Sequence, residues 1–331
     1  MSPKTLFSLG ATLSASLVLL VTACLPVQAA ERAGPPLTIV VPFAAGGPTD
    51  ALGRALATAM ADSLDRKVLV RNVDGAGGTV GAERVAKAGP DGNTLLLSNI
   101  GHATSMWLYT ALRYHPVDDF APIGMVAEVP MTLVAKPGLK AATVEEFKAL
   151  VRTEGNRLSI ANAGVGSASY LCGLLLMDML KTELTSVPYR GTKPAVMDVM
   201  NGHVDLLCDQ TTHTLPLIRS ARLKVLGVSA KARTAELPQV PTLDEAGLAG
   251  FDLTVWHGLY APKGTPLETV AALVAGLREA LANPSLTAAF AGRGARPASP
   301  GDAQPDALQA QLASEVQRWG EILRKAAIYV E

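Results

Sequence analysis

Thr38-Ile39-Val40-Val41-Pro42-Phe43-Ala44-Ala45-Gly46-Gly47-Pro48-Thr49-Asp50 reads as a buried strand, a glycine turn and the start of a helix. A continuous apolar run of this kind suits a strand covered on both faces. In open α/β sheets, ligands are held outside the carboxyl ends of strands. The helix that follows offers unpaired backbone N–H groups to an anion. The stretch therefore predicts an α/β fold with an anion-ready loop at residues 43–50.

The pattern continues outward from there. A strand at residues 67–71 leads through Gly75-Ala76-Gly77-Gly78 into a helix that ends near Lys87, and a turn at Pro90-Asp91-Gly92 precedes a strand at 94–98. This βαβαβ order implies a parallel sheet with helices on both faces. A second such unit begins at the capping box Thr143-Val144-Glu145-Glu146. It continues through a strand at 158–161, a loop at 162–167, an apolar helix to about 180, a strand at 185–188, a helix near 194–201 and a strand at 204–208. Residues 223–228 run apolar again and lead back toward the first unit. Further on, 251–260 is strand-like. The closing helix, near 305–327, puts Leu308, Leu312, Val316, Trp319 and Leu323 on one face, which makes Trp319 a core residue.

The loops at 43–50, 75–78, 162–169 and 189–194 each precede a predicted helix. Glycine lets the backbone approach a ligand closely, and small residues before a helix expose a nest of N–H donors suited to a carboxylate. Other chemistries fit less well. Gly75-Ala76-Gly77-Gly78-Thr79-Val80-Gly81 places its last glycine one position late for a dinucleotide fingerprint, and no Gly-Lys-Ser/Thr occurs. Gly164-Val165-Gly166-Ser167-Ala168 misplaces the serine of a nucleophile elbow. The five histidines lack paired ligand spacing, so no metal site is expected. His102 and His213 fall just beyond strand ends, either lining a cleft or lying at the surface as caps.

Ahead of this region lie Lys4, an apolar stretch centred on 17–21 and small-residue cleavage points near Ala29 and Ala30, the layout of a secretory signal. Val21-Thr22-Ala23-Cys24 also resembles a lipoprotein box that would leave Cys24 lipidated, and cleavage at Ala29 or Ala30 is the preferred reading. Removing residues 1–30 from 331 leaves 301 residues, a length for two domains, with 28 basic and 29 acidic side chains. So neutral a chain is a poor partner for nucleic acid or an anionic membrane. Cys172 and Cys208 then remain, both in apolar runs. They are expected as two small buried core residues, with pairing in an oxidising compartment left open.

Taken in order, a set of landmarks resembles the substrate-binding proteins of tripartite tricarboxylate transporters, the Bug receptors. They are Ile39-Val40-Val41-Pro42-Phe43 with Gly46-Gly47 and Asp50, Gly75-Ala76-Gly77-Gly78, Ala88-Gly89-Pro90-Asp91-Gly92, Asp119-Phe120-Ala121-Pro122-Ile123 and Val187-Pro188-Tyr189-Arg190-Gly191. Gly202-His203-Val204-Asp205, Leu237-Pro238-Gln239-Val240-Pro241-Thr242, Trp256-His257-Gly258-Leu259 and Ala261-Pro262-Lys263-Gly264 complete the series. The resemblance implies an α/β periplasmic-binding-protein fold of the second type: two doubly wound lobes around a ligand cleft, joined by strands crossing near 128–134 and 223–230. It divides the chain into a signal peptide (1–30), a discontinuous first lobe (31–129 and 226–331) and a second lobe (130–225). It further implies a periplasmic monomer that takes a small carboxylate and delivers it to a membrane permease of the tripartite type, without catalysis or cofactor.

The resemblance also maps ligand-binding residues. In the first lobe they are Phe43, Ala45, Gly46, Gly47, Thr49, Asp50, Gly77, Gly78, Ser98, His102 and Thr104. In the second they are Asn162, Gly166, Ser167, Ser169, Tyr189, Arg190, Gly191, Thr192, Asp209 and Gln210. Gly46, Gly47, Gly77 and Gly78 would present backbone donors, Thr49, Ser98, Ser167 and Thr192 hydroxyls, and Arg190 a cation. Two places depart from the commoner pattern: Ser169-Tyr170 stands where serine and histidine are frequent, and Cys208-Asp209-Gln210 replaces aromatic-Asp-Asn. A periplasmic sensor with the same cleft, or an exported enzyme on the same scaffold, are the alternative classes.

Overall fold

The computed structural model describes residues 34–326. The signal segment and the Cys24 box lie outside the described residues. The chain runs β1 (Leu37–Val41), α1 (Pro48–Ser63), β2 (Val68–Asn72), a 3₁₀ turn (Ala76–Gly78), α2 (Thr79–Ala86), β3 (Thr94–Asn99), α3 (Ile100–Leu108) and β4 (Phe120–Ala135). Then come α4 (Val144–Glu154), β5 (Ser159–Asn162), α5 (Ala168–Leu180), β6 (Thr185–Pro188), α6 (Thr192–Met200), β7 (Leu206–Gln210), α7 (Thr211–Arg219) and β8 (Lys224–Val228). The last part holds β9 (Thr254–Pro262), α8 (Leu267–Ala282), α9 (Pro284–Ala291), β10 (Arg296–Pro297) and α10 (Pro305–Ala326). No helix among the described residues is long and apolar enough to cross a membrane.

The strands follow the order β2-β1-β3-β9-β4-β7-β5-β6, with β8 and β10 also paired to β4. Parallel pairing joins β1 to β2 and β3, and β5 to β6 and β7. Between these parallel sets β9 and β4 run antiparallel, so the sheet is mixed, not wholly parallel as the βαβαβ pattern alone suggests. The 16-residue β4 belongs to both halves. Phe120 to Pro130 pairs with β9, whereas Met131 to Ala135 pairs with β7. The register shifts between Pro122 and Gly124 and again between Met125 and Ala127, the mark of bulges in the ladder.

Successive residues of β1 face opposite layers. Ile39 and Val41 pack with Leu52, Leu56 and Met60 of α1 and with Leu273 and Leu277 of α8. Val40 joins the opposite cluster with Leu96, Leu308, Leu312 and Trp319. Burial on both faces is why the run is apolar throughout. As its 3.6-residue spacing predicts, α10 buries Leu308, Leu312, Trp319 and Leu323, and Trp319 Nε1 donates to Glu315 Oε2 at 2.9 Å.

Cys172 on α5 and Cys208 on β7 form a disulfide, Cα to Cα 6.1 Å. Both are buried as expected, but the preferred reading of two free core thiols is corrected. Periodicity assigns each to a separate apolar element and carries no information that α5 lies directly over β7.

Replacing Trp319 with Ala removes a fully buried indole and the donor to Glu315 Oε2. Unfolding in denaturant should show a loss of about 4 kcal/mol. A loss below about 1 kcal/mol would mean that α10 does not anchor this core.

Candidate functional site

Five helices begin around one cavity, at the carboxyl ends of strands from both halves of the sheet. Its lining includes Gly47, Pro48 and Thr49 at the start of α1, Asn99 before α3, Ser167, Ala168 and Ser169 at α5, Gly191 and Thr192 at α6, and Asp209 and Gln210 at α7. The first N–H groups of a helix have no partner within it. Ser167 caps α5 and Asn99 caps α3, yet no side chain caps α1, α6 or α7. Three uncapped helix starts aimed at one point make a positive region without a lysine or arginine in the lining. This inner cavity, about 30 Å³, has room for about two water molecules. A wider outer cavity of about 680 Å³ adjoins it, sharing Phe43, Ala44, Ala163 and Gly191.

Most polar side chains here hold the loops in place. Asp50 is 3 % exposed; its Oδ2 accepts from Gly46 N–H at 2.8 Å and Arg54 Nε at 3.0 Å, and its Oδ1 from Asn72 Nδ2 at 2.9 Å. Burial opposes ionisation of Asp50, but these donors and the Arg54 charge outweigh it and hold the carboxyl below its usual range. Asn72 also donates to Phe43 O at 3.0 Å, so the 43–50 loop is pinned at both ends. Asn99 Nδ2 donates to Thr49 Oγ1 at 3.2 Å, and His257 Nε2 stands 3.3 Å from the same oxygen. Burial pushes His257 down to about 3, so it is neutral. Ala163 N–H donates to Ser169 Oγ at 2.9 Å, and Ser167 Oγ donates to Gly164 O at 2.6 Å.

Among the described residues, Asp209 is the one ionisable side chain of the inner lining. Its Oδ1 accepts from Gln210 N–H at 2.9 Å and its Oδ2 lies 2.8 Å from His213 Nδ1. Burial disfavours the His213 imidazolium and Lys193 opposes it weakly, yet the Asp209 bond and charge raise His213 above the ordinary histidine value. The pair thus sets an imidazole against the one carboxylate of the lining. Gln210 is 3 % exposed and its Oε1 has no partner.

The residues expected from sequence divide into groups. Phe43, Gly47, Thr49, Ser167, Ser169, Gly191, Thr192, Asp209 and Gln210 line the inner cavity. Gly77, Gly78, Tyr189 and the exposed Arg190 line the outer one. Ala45 and Gly46 are exposed on the first loop and line neither, and Asp50 lies behind it. Ser98 is buried in β3 opposite Gly258. Asn162 holds its own loop, accepting from Gly164 N–H and donating to Ser186 Oγ. Residues 98–104, which hold Ser98, His102 and Thr104 of the mapped set, are the end of β3 and the start of α3. Hence Thr104 bonds within its helix to Gly101 O. His102 sits among Tyr114, Phe120 and Tyr260 with Nε2 2.9 Å from Pro116 O, and burial lowers it to about 4.

Among the lining residues that the sequence does not single out are Asn99 and Tyr109. Asn99 had a legible signal, an asparagine directly before a helix. Tyr109 had none: it follows α3, far in sequence from any glycine loop, and its hydroxyl donates across the cavity mouth to Val165 O at 2.8 Å. The two walls touch at glycines as well. A Cβ on Gly77, whose φ is +60°, would stand 2.2 Å from Val165 O, and one on Gly101 would stand 2.6 Å from Gly166 O.

Residues 52–328 match the family described as "Tripartite tricarboxylate transporter family receptor". A protein of Agrobacterium vitis, described as a UPF0065 protein from the TAR-I ttuE-ttuC' intergenic region, is 43 % identical over 312 residues, 93 % of this chain and 90 % of its own. The solved periplasmic binding protein BugD superposes with a TM-score of 0.86 at 42 % identity, over 89 % of this chain and 99 % of that one. MatC from Rhodopseudomonas palustris, solved with bound malate, gives 0.84 at 38 % identity, over 87 % and 98 %. The fold is the α/β periplasmic-binding-protein fold that the sequence resemblance implied.

Gly101 has an ordinary backbone conformation, so Gly101→Ala should melt close to the unaltered protein. Its methyl group cannot coexist with Gly166 O at 2.6 Å. Small-angle scattering should therefore give a larger radius of gyration than for the parent; an unchanged radius would mean the walls do not separate here. His213 offers a pH test. Its folded-state value is raised, so the stabilisation from the Asp209 pair is complete below about pH 6.5, the unfolded value. It is lost as pH rises through the higher folded value. His213→Asn should flatten the fall in melting temperature above pH 6.5; an identical slope in both proteins would contradict the pairing.

Proposed function

We propose, because the chain belongs to the tripartite tricarboxylate transporter family of receptors, that it is an exported periplasmic receptor that closes on a small carboxylate and hands it to a membrane permease of that system. Three helices that start uncapped at one buried cavity carry this reading. Each such terminus contributes about 0.5 to 2 kcal/mol toward a buried anion. One carboxylate takes the N–H groups of Thr49, Asp50 and Thr192 with the Thr192 hydroxyl. The buried Gln210 amide, left with an unpartnered oxygen, meets the remainder of the ligand, since an unmade bond there costs about 1–3 kcal/mol. MatC, with its bound malate, supports a carboxylate as the class.

Capture is a closure of two lobes that hinge within β4 and beyond β8, with Tyr109, Gly77 and Gly101 on one wall meeting Val165 and Gly166 on the other. Ligand contacts with both walls favour the closed state by differential affinity. Transfer to the permease follows from the family and from no feature of the cavity.

A thermal-shift screen of the refolded, ligand-stripped chain against malate, succinate, adipate, citrate and benzoate tests the reading. A ligand at about 100 times its dissociation constant adds about 2.7 kcal/mol of stability. A clear rise with one carboxylate and none with its amide is the expected result. No rise across the panel from a folded protein would contradict it.

A further inference from the structure

Outside the hydrogen-bonded ladder, a single covalent bond joins the two elements that form the second wall of the cavity. β5 pairs with β7 at Ile160–Leu206 and Ala161–Leu207 and no further. Beyond that point the chains separate into the loop that leads to α5 and the end of β7. Cys208 is the next residue of β7, and its disulfide reaches Cys172 on α5. Asp209 and Gln210, which line the cavity, follow Cys208 directly. Ser169, also lining it, lies three residues before Cys172 and so on the same face of the helix.

We infer that the Cys172–Cys208 disulfide is a positioning element of the ligand site, fixing the start of α5 against the end of β7 so that affinity depends on the bond being intact. The inference rests on the receptor reading above. Both cysteines are at most 1 % exposed, in an interior packed too closely to yield easily. Two unbonded thiols need more room than one disulfide, so cleavage pushes α5 and β7 apart at the residues that bear the lining groups. Binding sites tolerate only about 0.5 Å of such drift. Reduction by a dithiol such as dithiothreitol supplies two electrons and two protons, breaks the S–S bond to two thiols and leaves the reagent as a cyclic disulfide.

The test compares the protein with Cys172→Ala/Cys208→Ala in two arms. Without ligand, hydrogen exchange in residues 167–172 and 209–212 should rise at least tenfold more in the variant than exchange in β1. In calorimetry, the malate dissociation constant should rise at least fivefold. Equal acceleration across the chain, or a malate constant within twofold of the parent despite a lower melting temperature, would overturn the inference and leave the bond a general staple. If the parent binds no malate, the carboxylate that raises its melting temperature in the panel above takes malate's place; if none of the panel binds, that counts against the receptor reading, and the exchange arm alone decides the role of the disulfide. Should the double variant not fold, protein unfolded in denaturant, reduced with dithiothreitol and refolded in its presence replaces it in both arms, with the same outcomes.

Discussion

Unsatisfied backbone at helix starts is the constraint around which this molecule is built. A helix leaves its first N–H groups unpaired, and a buried unpaired donor costs about as much as a lost hydrogen bond. A side chain can meet this, as Asn99 does for α3 and Ser167 for α5. α1, α6 and α7 begin without one, as α2 and α8 do elsewhere, and these three begin at the same cavity. The parallel strand pairs set this up, because each of the strands ahead of them delivers its helix at its carboxyl end. β4, shared between the halves, brings the two groups of strand ends face to face.

That constraint explains why a chain of zero formal charge can present an anion site. The positive character comes from backbone dipoles, so the surrounding side chains are free to act as scaffolding. Asp50 shows the division of labour: a carboxylate facing the cavity would repel an anion, yet Asp50 lines neither cavity and is bonded to Gly46, Arg54 and Asn72. Asp209 is handled similarly through His213. With both acids occupied, the uncommitted groups in the inner cavity are backbone donors, the Thr192 hydroxyl and the Gln210 amide.

Much of this was legible in the sequence, for physical reasons that can be named. The run 37–41 announced itself because both faces are buried, and α10 because its apolar side chains recur every three or four residues. Glycine loops stood out because closely approaching backbones exclude a Cβ, as at Gly77. β4 was hidden: Pro122 and Pro130 interrupt its strand signal, and its bulges are invisible to a period-two count. α3 is invisible to periodicity because its Gly101-His102-Ala103-Thr104-Ser105 start is small and polar, although Asn99 marks its cap. His102 was placed near the cleft from its position after a strand, whereas its ring packs into an aromatic cluster on the far side of its helix. The disulfide and the Tyr109 contact join residues 36 and 56 positions apart; only the three-dimensional path of the chain brings them together.

Amide nitrogen and proton shifts recorded by NMR while malate is titrated would test the central claim most directly. The account predicts that the largest shifts fall on the backbone N–H groups of Thr49, Asp50, Thr192, Thr211 and Thr212, at the starts of α1, α6 and α7. Saturable binding whose largest shifts lie elsewhere, with these five amides unmoved, would contradict it.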